Sequence, residues 1–307
     1  MSVDMPLSPS TVVLVVPCFN EEHRLRRADF LDATRRYPWL RLLLVDDGSR
    51  DATQAILEAM AAQSDGRSEV LVLAANVGKA EAVRQGLLRA FALRPAFVGY
   101  WDADLATPFD ALPGFMGVFE LRPWVDVVLG SRVMLLGRNI RRSTMRHYVG
   151  RVFATGASFV LDLPVYDTQC GAKLFRATPR VQQALERPFV TKWIFDVELL
   201  ARLLSGPDRE EAGDVPPEGR IYELPLDTWI DEPGSKVRAS DGLRAAVDLL
   251  RVYRLRLSTR GRPSTGGVAP AASIGFRQDG PTATHAGAAA PTAAPGAASE
   301  RPSGRHG

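Results

Sequence analysis

The sequence predicts an α/β fold, a mostly parallel sheet flanked by helices, and three observations carry that prediction. Short continuous apolar runs rich in β-branched residues recur through the first 130 residues, as strands covered on both faces require. Segments with helical apolar spacing lie between them, the alternation expected of right-handed βαβ crossovers. Polar motifs follow the apolar runs, at the edge where an open parallel sheet holds its ligands.

Residues 1–10 are expected to be a flexible N-terminus, and Thr11 to Val16 is the first strand. A polar, Arg-rich segment from Glu22 to Arg36 sets Leu25, Ala28 and Leu31 at helical spacing and stops before Pro38. Arg41 to Val45 is the second strand. Asp51-Ala52-Thr53-Gln54 then has capping-box spacing, with Ala55, Ile56, Ala59 and Met60 as the inward face of the helix it opens. Val70 to Leu73 gives a third strand. The following helix turns Ala80, Val83, Leu87, Ala90 and Phe91 inward and is closed by Pro95.

Ala96 to Trp101 and Asp126 to Leu129 add two strands, separated by a Pro/Gly-rich loop and a helical stretch. Farther on, Trp193 to Leu204 reads as a helix with Ile194, Val197, Ala201 and Leu204 on its core side. An insertion from Ser205 to Gly219 precedes a strand-like Arg220 to Leu224. After Ser258 the composition shifts to Ala, Pro, Gly, Ser and Thr, too little apolar surface to offset chain entropy. The expected organisation is therefore two halves of one domain, 11–132 and 133–257, followed by a disordered tail, 258–307.

Charge and cysteine usage exclude several classes. The formal excess of +3 lies entirely in the tail, where five arginines face Asp279 and Glu300, so residues 1–257 are neutral. A balanced body argues against a nucleic-acid groove. Cys18 and Cys170 belong to no Cys/His array, which excludes a structural zinc site or disulfide scaffold and fits a reducing compartment. No signal peptide is evident, and no apolar run approaches the roughly 20 residues of a membrane-spanning helix. The expected location is the cytoplasm, peripheral on the cytoplasmic face of a membrane.

Asp102-Ala103-Asp104 sits directly after the run Ala96–Trp101. Two carboxylates one residue apart at a strand end suit Mg²⁺ or Mn²⁺, which bind few side chains and take other ligands from water and phosphates. An isolated pair of this kind is common in turns and caps. Here it has company: Pro17-Cys18-Phe19-Asn20-Glu21, Asp46-Asp47-Gly48-Ser49, Asn76-Val77-Gly78-Lys79 and Gly130-Ser131-Arg132 each follow a predicted strand and converge on one crevice. Gly78-Lys79 lacks the upstream glycine and following Ser or Thr of a P-loop, and His23 and His147 are isolated.

The ordered set VVPCFNEE, VDDGSRDAT, NVGKAEAVRQG, DADLATP and GSR resembles the nucleotide-sugar-binding half of family 2 glycosyltransferases of GT-A fold. Asp167-Thr168-Gln169-Cys170-Gly171-Ala172-Lys173-Leu174-Phe175, Phe195-Asp196-Val197-Glu198-Leu199 and Trp229 with Gly234-Ser235-Lys236 are similar to the polyprenyl-phosphate subgroup, nearest its dolichyl-phosphate β-glucosyltransferase branch. The resemblance implies that Pro17, Phe19, Glu21, Asp46 and Asp47 embrace base and ribose with Lys79 nearby. It implies too that Asp102 lies near ribose and diphosphate and that Asp104 ligates the metal. Ala106 stands where related mannosyltransferases often carry Gln, which fits the glucosyl pattern better.

The acceptor half has its own physical logic. A polyprenyl phosphate, with a second pKa of about 6, is largely ionised at neutral pH and needs cations rather than a base. Arg132, Arg138, Arg141, Arg142, Arg146 and Arg151 follow the first half closely. Arg132, Arg142, Arg146 and Lys236 are the expected acceptor-binding set, Arg132 and Lys236 also acting in catalysis, with the other arginines on a solvated face. Asp167 is the candidate base if the acceptor is instead a hydroxyl. Asp196 and Glu198 either line the site or solubilise their helix.

Tyr148 to Leu163 and the basic Leu243 to Leu257, with Leu243, Ala246, Val247, Leu250 and Leu257 on one face, are candidate membrane-surface segments or core helices. The expected activity is inverting transfer of a hexose, glucose from UDP-glucose, to a polyprenyl or dolichyl phosphate. GDP-mannose as donor, a hydroxyl acceptor and a non-catalytic nucleotide-sugar-binding subunit are the alternatives.

Overall fold

The computed structural model describes the backbone of residues 11–141, 144–205, 215–230 and 239–260, and the side chains of 11–141, 148–205, 215–230 and 244–257. Strands and helices alternate as β1 (Val12–Cys18), α1 (Arg27–Arg36), β2 (Leu40–Asp46), α2 (Thr53–Ala62), β3 (Ser68–Val72), α3 (Lys79–Ala92), β4 (Phe97–Trp101), α4 (Leu112–Leu121) and β5 (Val127–Ser131). There follow β6 (Asn139–Arg141), α5 (Thr144–Leu161), β7 (Ala172–Arg176), α6 (Pro179–Glu186), α7 (Phe195–Ser205), β8 (Ile221–Pro225), β9 (Thr228–Ile230) and α8 (Ala239–Arg260).

Seven strands form one sheet in the order β3-β2-β1-β4-β7-β5-β8, with β6 and β9 as a separate parallel pair. Every pairing in the large sheet is parallel except those of β7, which runs antiparallel between β4 and β5. The carboxyl ends of β1, β2, β4 and β5 therefore share an edge with the start of β7. The two predicted halves interleave, because β7 and β8 come from the second and complete the sheet of the first.

Alternation along the strands feeds two cores. Val13, Val15, Leu43, Val45, Val98 and Tyr100 face α3, α5, α7 and α8, through residues such as Val83, Leu87, Ala157, Leu199 and Val252. Leu14, Val16, Leu42, Leu44 and Trp101 face α1, α2 and α4, through Phe30, Leu57 and Phe115. Both faces of the sheet are covered, which is why its strands read as unbroken apolar runs.

Three boundaries differ from the sequence pattern. α1 begins at Arg27 rather than Glu22, because the Glu21 carbonyl accepts from the amides of Arg24 (2.9 Å) and Leu25 (3.0 Å) in a turn. The capping box at α2 does not form: Asp51 Oδ1 accepts from Thr53 N and Oγ1, while Gln54 donates to Glu58. α8 continues to Arg260, past the expected start of the tail, and residues 261–307 lie outside the described residues. It packs Ala245 and Val252 inward, so the predicted face points out: Ala246, Val247, Leu250 and Leu257 are exposed, and the Leu243 side chain lies outside the described residues. No helix among the described residues is long and apolar enough to cross a membrane.

Candidate active site

The loops after β1 and β2 are stitched together before they reach any ligand. Asn20, at φ 53°, donates its amide to Ser49 Oγ (3.0 Å) and accepts from Arg50 N (2.9 Å), and Glu21 N donates to Thr53 Oγ1 (2.8 Å). Asp47 N closes the seam on Cys18 O at 2.9 Å. Gly48 sits at φ 64°, and a Cβ there would lie 2.5 Å from the Ala75 carbonyl carbon, so only glycine lets the third loop approach. Phe19 stands 41% exposed on the rim, whereas Glu21 is paired with Arg24 at 2.5 Å.

Asp46 and Asp47 are both buried. Asp46 Oδ1 accepts from Ser49 N (3.3 Å), tightening its own turn. The Asp47 carboxylate accepts from Val77 N (2.7 Å), Gly78 N (2.9 Å) and Asn76 Nδ2 (3.0 Å) and so shapes the loop that opens α3. Burial raises its pKa, and the two amide bonds from Val77 and Gly78 oppose that rise. At the head of α3, Lys79 Nζ lies 2.5 Å from Asp102 Oδ1. Burial works against the Lys79 charge, but the Asp102 carboxylate outweighs it and raises the lysine pKa.

Asp102 is fixed from behind by Gly171, whose carbonyl accepts from Asp102 N at 2.8 Å. A Cβ at Gly171 would come within 1.9 Å of Asp102 Oδ2. Asp104 follows in a turn that places Leu105 at φ 51°, with Ala106 N donating to Asp104 Oδ1 at 3.0 Å. Arg26 clamps this turn by donating to the carbonyls of Leu105 (2.8 Å) and Asp104 (3.2 Å). Burial and then the neighbouring Asp102 charge raise the Asp104 pKa.

Arg132 and Asp167 form the second pole of the site. Arg132 Nε and Nη2 donate to Asp167 Oδ2 (2.6 Å) and Oδ1 (2.8 Å), Arg132 N adds a bond to Oδ2 (3.1 Å), and Gln169 N adds one to Oδ1 (3.1 Å). All four acceptor directions of the carboxylate are filled. Although burial raises the Asp167 pKa, Arg132 overcomes it and holds the carboxyl at about 2. A carboxylate so held keeps Arg132 in place, and the base role weighed from the sequence would require that pair to open. The Arg132 guanidinium also lies 5.2 Å from the Trp229 ring centre.

A third cluster lies behind Asp102. Lys173, 1% exposed, pairs with Asp196 (2.7 Å) and donates to Cys170 O (2.6 Å), while Tyr100 Oη and Gln169 Nε2 also reach Asp196. The signal for it was in the sequence: a lysine inside the apolar strand Ala172–Phe175 demands a buried acid. Glu198, by contrast, accepts from Val190 N, Thr191 N, Thr191 Oγ1 and Arg202, and holds the loop before α7. Arg138 pairs with Asp227, and Arg151 covers the Tyr166 ring. Arg142, the Arg146 side chain and Lys236 lie outside the described residues.

Among the described residues, no three His, Cys, Asp or Glu side chains converge into a closed metal site. The pair at Asp102 and Asp104 nevertheless suits a hard cation that completes its shell with phosphate and water. Asp102 Oδ1 is buried, and among the described residues its partner is the Lys79 ammonium. Asp104 is an anion disfavoured by burial and by Asp102, so a nearby positive charge stabilises both.

Comparison with known proteins places this edge in context. The chain is 27% identical over 269 residues to a dolichyl-phosphate beta-glucosyltransferase of Trichomonas vaginalis, covering 81% of this chain and 75% of that protein. It is 27% identical over 259 residues to a dodecaprenyl-phosphate galacturonate synthase of Rhizobium johnstonii, covering 80% and 68%. The fold is shared with glucosyl-3-phosphoglycerate synthase of Mycobacterium tuberculosis, solved with Mn²⁺, UDP and glucosyl-3-phosphoglycerate, at TM-score 0.54 and 18% identity over 83% of this chain and 82% of that one. The profile described as Glycosyl transferase family 2 matches residues 13–180, a span running from β1 through the carboxylate pair and β7 into α6. With that match over more than half of its length, the chain is a member of glycosyltransferase family 2.

Proposed function

We propose that the protein transfers a hexose with inversion, glucose from UDP-glucose, to the phosphate of a polyprenyl or dolichyl lipid at a membrane surface. The observation that carries the reading is one sheet edge with two charged poles: carboxylates Asp102 and Asp104 beside Lys79, and the buried guanidinium of Arg132 on Asp167. The first pole suits a metal-bound nucleoside diphosphate and the second an anionic acceptor. Supporting it, two relatives are named for transfer to polyprenyl-type phosphates, and a structural neighbour was solved with Mn²⁺ and UDP.

In this reading an acceptor phosphate oxygen attacks the anomeric carbon as the bond to UDP breaks, and the electron pair leaves on the diphosphate. A bound Mg²⁺ or Mn²⁺ supplies positive charge to that leaving group. Lys79 adds a second cation on the same side. Phe19 on the rim, with Pro17, Glu21, Asp46 and Asp47 behind it, forms the base and ribose end. Arg132, fixed by Asp167, orients the acceptor, and Arg142, Arg146 and Lys236 are proposed to assist it. No protein base is required, because the acceptor arrives ionised, which matches the occupied state of Asp167.

Membrane contact has an apolar surface to act through. Met134, Leu135 and Leu136 are exposed directly after Arg132. Tyr148, Val152 and Phe159 form an exposed stripe on α5, and Val247, Leu250 and Leu257 do so on α8 beside exposed Arg244 and Arg254. Apolar side chains flanked by arginines suit an anionic bilayer surface, and the proposed location is the cytoplasmic face. The test is Asp104→Asn assayed with labelled UDP-glucose, Mn²⁺ and polyprenyl phosphate. The expected outcome is loss of turnover with metal-free UDP binding kept; unchanged turnover, or transfer by the unmodified protein only to free sugars, refutes the reading.

A further inference from the structure

Lys79 occupies the position that a cation on Asp102 needs. Its Nζ lies 2.5 Å from Asp102 Oδ1, a buried oxygen whose partner among the described residues is this ammonium. A divalent ion on that oxygen would stand about 2.1 Å away, so the ammonium and the metal cannot share it. The lysine side chain is 46% exposed and flexible, and its backbone is anchored independently through the bond from Gly78 N to Asp47 (2.9 Å). It can therefore leave the carboxylate without unravelling the loop that carries it.

We propose that Lys79 is the resident counter-ion of the carboxylate pair in the empty protein, and that a nucleoside diphosphate must draw it away before a divalent cation binds well. The inference rests on Asp102 and Asp104 being metal ligands. In the empty protein Lys79 neutralises Asp102, the same carboxylate the metal would use. A diphosphate beside α3 offers the ammonium a stronger anion. Its departure uncovers Asp102 Oδ1 at the moment the diphosphate brings further metal-binding oxygens. Donor and metal would then bind in a mutually reinforcing way, each changing the other's affinity by the same factor.

The experiment is a Mn²⁺ titration of the full chain, reading free Mn²⁺ by electron paramagnetic resonance, with and without UDP. Wild type is expected to bind Mn²⁺ at least about tenfold more weakly without UDP than with it, within the usual range of such coupling. Lys79→Met, lacking the competing charge, is expected to bind Mn²⁺ about tenfold more tightly than wild type in the absence of UDP and to keep only the part of the UDP effect that the diphosphate oxygens supply, after subtraction of the Mn²⁺ held by UDP alone. Lys79→Arg keeps the charge and is expected to stay weak, and circular dichroism checks that each variant is folded. If wild type with UDP binds Mn²⁺ but Lys79→Met without UDP binds no better than wild type, the counter-ion role is overturned and the metal reading stands. If no protein binds Mn²⁺ under either condition, both are overturned.

Discussion

Replacing Gly171 with alanine is a steric test of the carboxylate pair. The added Cβ would lie 1.9 Å from Asp102 Oδ2 and 2.1 Å from its Cγ, and the nearest atoms around it all belong to that side chain. To restore ordinary contact the carboxylate must retreat by about 1.5 Å. Gly171 does not occupy a left-handed conformation, so alanine adds no backbone strain, and the side chain that must yield, Asp102, is 31% exposed. The expected change in stability is therefore small, within about 1 kcal/mol. Catalysis is expected to suffer more, because misplacement of a reacting group by about 1 Å costs on the order of 100-fold in rate, or about 2.7 kcal/mol of transition-state stabilisation.

Initial rates with UDP-glucose, Mn²⁺ and polyprenyl phosphate measure the loss, and urea unfolding measures stability. A double-mutant cycle sharpens the result: with Asp102→Ala the new methyl group has nothing to strike, so Gly171→Ala is expected to add no further loss. A Gly171→Ala protein within about threefold of the wild-type rate, or equal losses in both backgrounds, refutes the reasoning.

Two further outcomes follow from the site and its surroundings. Because Asp167 is held at about 2 against an ordinary 3.8, its contribution of about 2 kcal/mol is complete above roughly pH 4 and fades as the pH falls toward 2. Asp167→Asn should flatten that acid limb in urea titrations and cost about 3–5 kcal/mol at neutral pH by stranding buried Arg132. The double change Val152→Asp and Phe159→Asp should weaken cosedimentation with anionic vesicles while leaving turnover of a short, soluble acceptor unchanged; unchanged vesicle binding would remove α5 from the proposed surface.

The alternation of strands and helices through β5 was legible because each apolar run is covered on both faces and each crossover carries its own helical spacing. The convergence of the loops after β1, β2 and β4 with Arg132 followed from parallel topology alone. What escaped was partner choice. The Ala172–Arg176 segment was met only as part of a motif, and its antiparallel insertion as β7 is a matter of long-range pairing. Leu25, before α1, shares helical spacing with Ala28 and Leu31, yet Glu21 and Arg26 are drawn into turns and clamps that only the folded site supplies. Gln54 is at capping-box distance from Asp51, but Glu22, far away in sequence, meets the Ala52 amide instead. The pairing of Asp167 with Arg132 was not legible, because the two lie 35 residues apart in sequence.

The antiparallel insertion of β7 bears on how this chain comes off the ribosome. Until residues 172–176 have emerged, β4 has a raw edge where β7 will pair, and β5 has no neighbour to attach it to the rest of the sheet. A nascent chain halted near residue 132 would thus display unpaired apolar strands, the kind of surface that recruits chaperones or seeds aggregation. Residues 11–132 cannot be matured first and residues 133–257 appended later. The carboxylate pair acquires the backing of Gly171 only when the later segment threads into place, so competence for chemistry arrives in one late step.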